Sequence, residues 1–387
     1  MNSQLHMISF AMLFISNTSQ AQLNRKYFSW GIAGEIPAYN QDAPSPGVAG
    51  PVTGFHNGVI MVGGGANFPD SMPWEGGKKK YHQALFVFKS VGKKLLPVEG
   101  TFQLPEPVAY AATCTTPSGV FFAGGENERG ITDKVYILKW DKRKHVISIE
   151  KLPDLPVGLV NAACTAEGNQ VFIAGGETRE SVTAKCWTLD LGESRTAWKE
   201  LPALPVAVSH SVMVTMRKGK DIKLYLLGGR QKKTGEISVF YQSVYRLELD
   251  QQGWSPLPPL PYPLSAGTGV AARESGVYLF GGDRGTVFGK VEGSLLAISR
   301  ENRAKEKEAL VEQKNDLLRT HPGFSGDIIF YNSITGVATI AGQIPYPTPV
   351  TTTAFWYRGA VIIPSGEIRA GVRSPKILIA KILPQKP

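Results

Sequence analysis

The sequence predicts an all-β protein, a propeller of six four-stranded blades, and three observations carry that prediction. Five runs of apolar, β-branched or aromatic residues end in a glycine pair, at Gly63-Gly64, Gly124-Gly125, Gly175-Gly176, Gly228-Gly229 and Gly281-Gly282. A sixth, altered copy ends at Ser365-Gly366 after Val361-Ile362-Ile363-Pro364. The first positions of these pairs lie 61, 51, 53, 53 and 84 residues apart, a blade-sized period. Finally, 42 Gly and 27 Pro in 387 residues supply the turns that many short strands need.

A strand feeding into Gly-Gly at this period marks kelch-type blades, and the elements can be assigned in order. Residues 27–37 contain Trp30 and end Gly-Glu-Ile-Pro, resembling outer-strand segments such as Trp198-Lys-Glu-Leu-Pro and Trp254-Ser-Pro-Leu-Pro. The C-terminus offers three strands, 351–357, 359–364 and 375–382, and no fourth. The N-terminal strand is therefore expected to close the last blade, pairing the chain ends and removing an open edge. Blade one takes strands near 48–55 and 58–63, a long loop at 64–82 and a strand at 84–88. Blades two, three and four begin at 108–115, 158–166 and 206–215, and Leu-Pro-x-Leu-Pro segments at 152–156, 201–205 and 257–261 lead the chain inward again. Blade five has strands at 267–272 and 276–280, then an insert over about 283–325. Within it, residues 300–319 are charge-dense, lack Gly and Pro, and show helical spacing, so a short helix is expected there. Both long segments leave from second strands, which places both over one mouth of the central channel.

The net charge is +10, but Lys and Arg are scattered. No basic stripe with interleaved aromatics is present, so nucleic acid is not the expected partner, and a small anionic molecule is. The first 21 residues carry no Lys, Arg, Asp or Glu; Met7 to Ile15 is apolar and Ser19-Gln20-Ala21 has a signal-peptidase pattern. Residues 1–21 read as a secretory signal, with a mature secreted propeller over 22–387 and no other run fit to span a bilayer. Cys114 and Cys164 occupy matching positions before their glycine pairs and, with Cys186, read as small buried thiols. Paired cysteines or histidines at metal spacing are absent, as are a P-loop, a dinucleotide fingerprint and a Gly-x-Ser-x-Gly elbow. Neither a metal nor an organic cofactor is expected.

Chemistry concentrates after the glycine pairs, where Asn67, Glu126, Glu177, Arg230, Asp283 and Glu367 follow, with Arg369 and Arg373 close behind. In a propeller these positions converge near the axis. Carboxylates mixed with guanidiniums there suit a polar, hydroxyl-rich anion. The same positions also tie neighbouring blades together through ion pairs, so both readings stand for Glu126, Glu177 and Asp283. Glu367 stands apart because its copy gives up one glycine and keeps Gly-Glu. His210, after Val208-Ser209, opens an inner strand.

The stretch from Gly47 to Phe68, with Lys78-Lys79-Lys80-Tyr81 beyond it, resembles the bacterial N-acetylneuraminate (sialic acid) mutarotases, or epimerases. So do Gly366-Glu367-Ile-Arg-Ala-Gly371-Val-Arg373 and the insert after Gly281-Gly282. The blade order is rotated, as in a cyclically permuted branch, which a closed propeller tolerates. The resemblance implies a periplasmic six-bladed kelch propeller that interconverts sugar anomers without a cofactor. It assigns activity to Glu367 and Arg373: Glu367 would shuttle protons and Arg373 would bind the sugar carboxylate. Asn67, Glu126, Glu177, Arg230, Asp283 and Arg369 are further substrate-binding candidates. The alternative is a non-catalytic propeller that binds a glycan or a protein partner and is indifferent to Glu367.

Overall fold

The computed structural model describes residues 28–38, 44–193, 196–272 and 275–383; the segment read as a secretory signal lies outside them. Six antiparallel blades are present, each with four main strands, and blade one adds two-residue strands at Lys80–Tyr81 and Phe102–Gln103. Blade one runs Ala49–His56, Val59–Asn67, Ala84–Val91 and Lys94–Pro97, and blade two Ala112–Thr116, Gly119–Ala123, Val135–Asp141 and Val146–Lys151. Blade three runs Ala163–Glu167, Gln170–Ala174, Cys186–Asp190 and Lys199–Leu201, and blade four Val212–Lys218, Asp221–Leu227, Val244–Glu248 and Ser255–Leu257. Blade five takes Thr268–Ala271, Gly276–Phe280, Asp327–Asn332 and Ala338–Gln343. In blade six, Phe355–Tyr357, Ala360–Pro364 and Lys376–Ile382 are joined by Phe28–Glu35 as outermost strand. That pairing runs antiparallel from Phe28 opposite Ile382 to Glu35 opposite Lys376, so the expected closure by the N-terminal strand holds.

Cohesion comes from the faces between blades. Second strands such as Gly119–Ala123 and Ala360–Pro364 are buried on both sides, and Phe121, Phe172 and Phe280 are wholly shielded. Each such side chain contributes about 1.5–3 kcal/mol of burial. The Leu-Pro linkers act as sockets between blades: Leu155, Leu204 and Leu260 are buried, and an aromatic side chain of the following blade reaches back to each linker, Trp198, Trp254 and Tyr331 in turn. Trp198 Nε1 donates to the Pro153 carbonyl and Trp254 Nε1 to that of Pro202, each at 2.9 Å. The three cysteines are unpaired, with Cys114 and Cys164 on adjacent inner strands as expected.

Two expectations need correction. The insert holds two helices rather than one: α1 at Thr286–Arg300 and α2 at Ala304–Arg319. Glycines at 285, 289 and 293 hide α1 from a propensity reading; at Gly289 and Gly293 an added Cβ would make only ordinary contact with the Ile237 side chain, at 3.6 and 3.8 Å. The inner strands of blades two to four also begin several residues later than predicted, because the residues before them turn inward to build the axis. No helix among the described residues is long and apolar enough to cross a membrane.

Candidate active site

Two stacked rings of residues build the site. The lower ring is Gly50, Tyr110, Asn161, His210, Ala266 and Thr351, one from each blade, all at positive φ between 51° and 65°. The amide of each donates to the carbonyl of its counterpart in the neighbouring blade: Gly50 to Thr351, Tyr110 to Gly50, Asn161 to Tyr110, His210 to Asn161, Ala266 to His210 and Thr351 to Ala266, at 2.7–3.0 Å. The hydrogen bonds therefore close into a circle. A left-handed backbone costs a non-glycine residue about 1–2 kcal/mol. Leaving its N–H and C=O buried and unpaired would cost about 1–3 kcal/mol for each group, so the ring wins.

The upper ring follows the glycine pairs. Glu126, Glu177, Arg230, Asp283 and Glu367 each bridge, antiparallel, to the residue preceding a lower-ring member: Ala109, Val160, Ser209, Ser265 and Val350. Ala66 makes the equivalent pair with Ala49. The pairs themselves are left-handed, and at Gly124 a Cβ would run into the Leu159 carbonyl oxygen. Ser365 adopts the same conformation with φ 56°, and its Oγ accepts from the Val48 amide at 2.9 Å, which anchors blade six to blade one.

Together the rings line a cavity of about 440 Å³. It is roofed by Phe68 and Pro73 from the 64–82 loop and by Val287, Phe288, Leu318 and Phe324 from the insert, so both segments overhang one mouth as expected. The structure gathers Glu126, Glu177, Arg230, Asp283, Glu367 and Arg373 around this space. It leaves out Arg369, which is exposed on the hairpin outside. Asn67 is also excluded. Blade one uses Gly64-Gly65 as its left-handed pair, not Gly63-Gly64, so Ala66 takes the axial position. Asn67 is 1% exposed, donates to the Gly47 carbonyl at 2.9 Å and meets His82 Nε2 at 2.8 Å.

The charged groups differ in how fully they are engaged. Glu126 Oε1 accepts from Tyr81 Oη at 2.7 Å and from Lys79 Nζ at 3.0 Å. Lys79 also lies 5.0 Å from the Tyr110 ring centre. Glu177 Oε1 takes the Ser209 hydroxyl at 2.8 Å and lies 3.4 Å from His210 Nδ1. Glu367 Oε1 accepts the Gly371 amide at 2.8 Å and Arg373 Nη1 at 3.3 Å, both from its own hairpin. The Arg373 side chain, 4% exposed, also donates to the Ala66 carbonyl at 3.4 Å and stacks 4.9 Å from the Phe68 ring centre. Its Nε and Nη1 are thus engaged within the protein, while the residue lines the cavity. Burial pushes the Asp283 carboxyl up despite the Gly285 amide bonded to it, and pushes the Tyr110 phenol up as well. Burial, then the Arg230 charge, drives His210 well below its usual value.

The sequence reading missed Tyr110, Asn161 and Thr351 as cavity residues, and also Phe288 and His321. The ring members share one position in the repeat, which is the signal that could have found them.

Burial also lowers His82 to about 4. A histidine held neutral in the fold contributes fully above its unfolded pKa of 6.5 and loses that contribution as pH falls towards 4. Thermal melting temperature is therefore expected to drop between pH 6.5 and 4.5, and less steeply in His82→Gln. Parallel curves for the two proteins would contradict this.

A family model for N-acetylneuraminate epimerase matches residues 152–386, more than half the chain. The chain is 23% identical over 241 residues to an N-acetylneuraminate epimerase of Brucella melitensis, covering 61% of this chain and 60% of that protein. It is 27% identical over 232 residues to one of Pasteurella multocida, covering 59% and 58%, and 38% identical over 113 residues to one of Vibrio cholerae. The match thus spans about three-fifths of the length of the first two relatives. The solved structure of YjhT superposes with a TM-score of 0.60 at 14% identity, over 91% of this chain and 97% of that one, and supports the propeller fold.

Proposed function

The chain belongs to the N-acetylneuraminate epimerase family, and from that premise we propose that it interconverts the α and β anomers of a sugar acid, N-acetylneuraminate before others. The observation that carries this reading is Glu367 and Arg373 meeting at 3.3 Å on one wall of the axial cavity.

Anomer exchange at a cyclic hemiketal needs a proton removed from the anomeric hydroxyl and one delivered to the ring oxygen. The ring C–O bond then breaks to leave an open-chain ketone, and closure on the other face reverses both transfers. Glu367 uses Oε1 for Gly371 and Arg373, so Oε2 is the oxygen that takes and returns the proton. Arg373 fixes that carboxylate as a positioning residue. Asp283 faces the same space with its carboxyl pushed up by burial and offers a second proton carrier. Spontaneous exchange already proceeds, so a modest acceleration is enough and a sparse site serves.

The same reading takes the blade order as rotated relative to other family members, in line with alignments that stop at about three-fifths of their length. It also places the protein in the periplasm, on the apolar run from Met7 to Ile15.

Proton NMR of freshly released α-N-acetylneuraminate tests the function. Micromolar protein is expected to speed appearance of the β anomer severalfold over buffer. An unchanged time course for this and for other sialic acids would remove the mutarotase reading and leave a binding propeller.

A further inference from the structure

Resting on that reading, we propose that Arg230 binds the substrate carboxylate and that Phe288 of α1 holds it in place, so that the helical hairpin gives the site its preference for an anionic sugar.

Arg230 and Arg373 are both guanidiniums on the cavity wall, and their surroundings separate their roles. Arg373 has its charge met at 3.3 Å by Glu367 and a second donor occupied by the Ala66 carbonyl. The nearest ion-pair contact of Arg230 is longer, 3.8 Å from Nη2 to Glu177 Oε1, and that oxygen already accepts the Ser209 hydroxyl. Arg230 Nε is buried and has no acceptor among the described residues. A shielded guanidinium with an unmet donor is costly. A carboxylate presents two oxygens to its planar fork and would meet that donor.

The insert makes this arrangement possible. Phe288 lies with its ring centre 4.2 Å from the Arg230 guanidinium carbon and packs 5.5 Å from Phe240. Glu292, one turn along α1, accepts the amide and hydroxyl of Ser238 at 2.7 and 2.8 Å, which fastens the helix to the loop that follows Arg230. The guanidinium is thereby held over a ring and largely shielded from water, its side chain 16% exposed, the condition under which a charged hydrogen bond gains strength. A carboxylate on Arg230 would set the anomeric carbon beside it within the space that Glu367 also lines.

The test compares N-acetylneuraminate with its methyl ester, which keeps the anomeric hydroxyl and loses the charge. Enzyme-dependent anomer exchange is followed by NMR for the wild type, Arg230→Gln, Arg230→Lys and Phe288→Ala. The wild type is expected to prefer the acid about 10–100-fold in kcat/KM, the range for a charged hydrogen-bonded contact. Arg230→Gln should collapse that preference to within about threefold, and Arg230→Lys and Phe288→Ala should fall between. Because the readout is a ratio within one variant, partial loss of folded protein does not move it. A preference that survives in Arg230→Gln, or a wild type that treats acid and ester alike, overturns the assignment. Calorimetric titration with the same two sugars keeps the two ideas apart. A wild type that binds the acid without accelerating exchange ends the mutarotase reading, and loss of that binding in Arg230→Gln still upholds the carboxylate site. No binding of the acid by the wild type ends both.

Discussion

Glu367→Gln is expected to return anomer exchange to the spontaneous rate, a loss on the order of 10²–10⁴-fold in the enzyme-dependent term. The substitution preserves shape and an oxygen for the Gly371 amide, which Glu367 now binds at 2.8 Å. What it removes is the ability to accept a proton. It also leaves the Arg373 guanidinium facing a neutral amide instead of a carboxylate at 3.3 Å, so a melting curve belongs beside the rate. A variant that melts with the wild type but exchanges anomers at the buffer rate identifies the base. A folded variant with wild-type activity would remove Glu367 from the chemistry and hand proton transfer to Asp283.

The largest stability effect is expected at the seam where the chain ends meet. Phe280 is fully buried and packs edge-on against Phe28 at 5.7 Å and Trp30 at 6.0 Å, both on the strand that closes blade six. Phe280→Ala should cost about 3–5 kcal/mol, the usual range for an aromatic removed from a core. Urea unfolding followed by tryptophan fluorescence measures it, and Ile334→Ala, at a side chain 79% exposed, should stay within about 0.5 kcal/mol. Amide exchange should quicken first over Phe28–Glu35, since those amides lose the surface that shields them. Equal effects at the two positions would mean that the interface between blades five and six carries little of the stability.

The sequence made some of this legible and hid the rest for identifiable reasons. Gly124-Gly125 and its counterparts announce themselves because their backbone is left-handed and their Cβ space is filled. The closing strand could be found by counting, because the last blade lacked a fourth element. In blade one, three glycines in succession left the register undecided, and Asn67, the first polar side chain after them, stood in for the axial position that Ala66 occupies. Helix α1 escaped because its glycines at 289 and 293 lower its helix propensity, and its contacts with the rest of the fold are not visible in the local sequence. The lower ring escaped more completely. Its left-handed turn is enforced by hydrogen bonds between blades, so Tyr110, Asn161, His210, Ala266 and Thr351 share a conformation with no common side chain to betray it. Arg373 is legible from its motif, and its contacts with Glu367, Ala66 and Phe68 add a positioning task that its charge alone does not reveal.

That indifference to side chain has a design consequence. Six main-chain positions are joined in a circle by amides and carbonyls, and the protein already displays glycine, phenol, carboxamide, imidazole, methyl and hydroxyl groups there. Apart from Gly50, where a Cβ would run into Tyr110, these positions are mounting points whose fittings can be exchanged while the frame stays bolted together. A library varied at Tyr110, Asn161, His210, Ala266 and Thr351 would therefore sample new pocket floors with little change in folding.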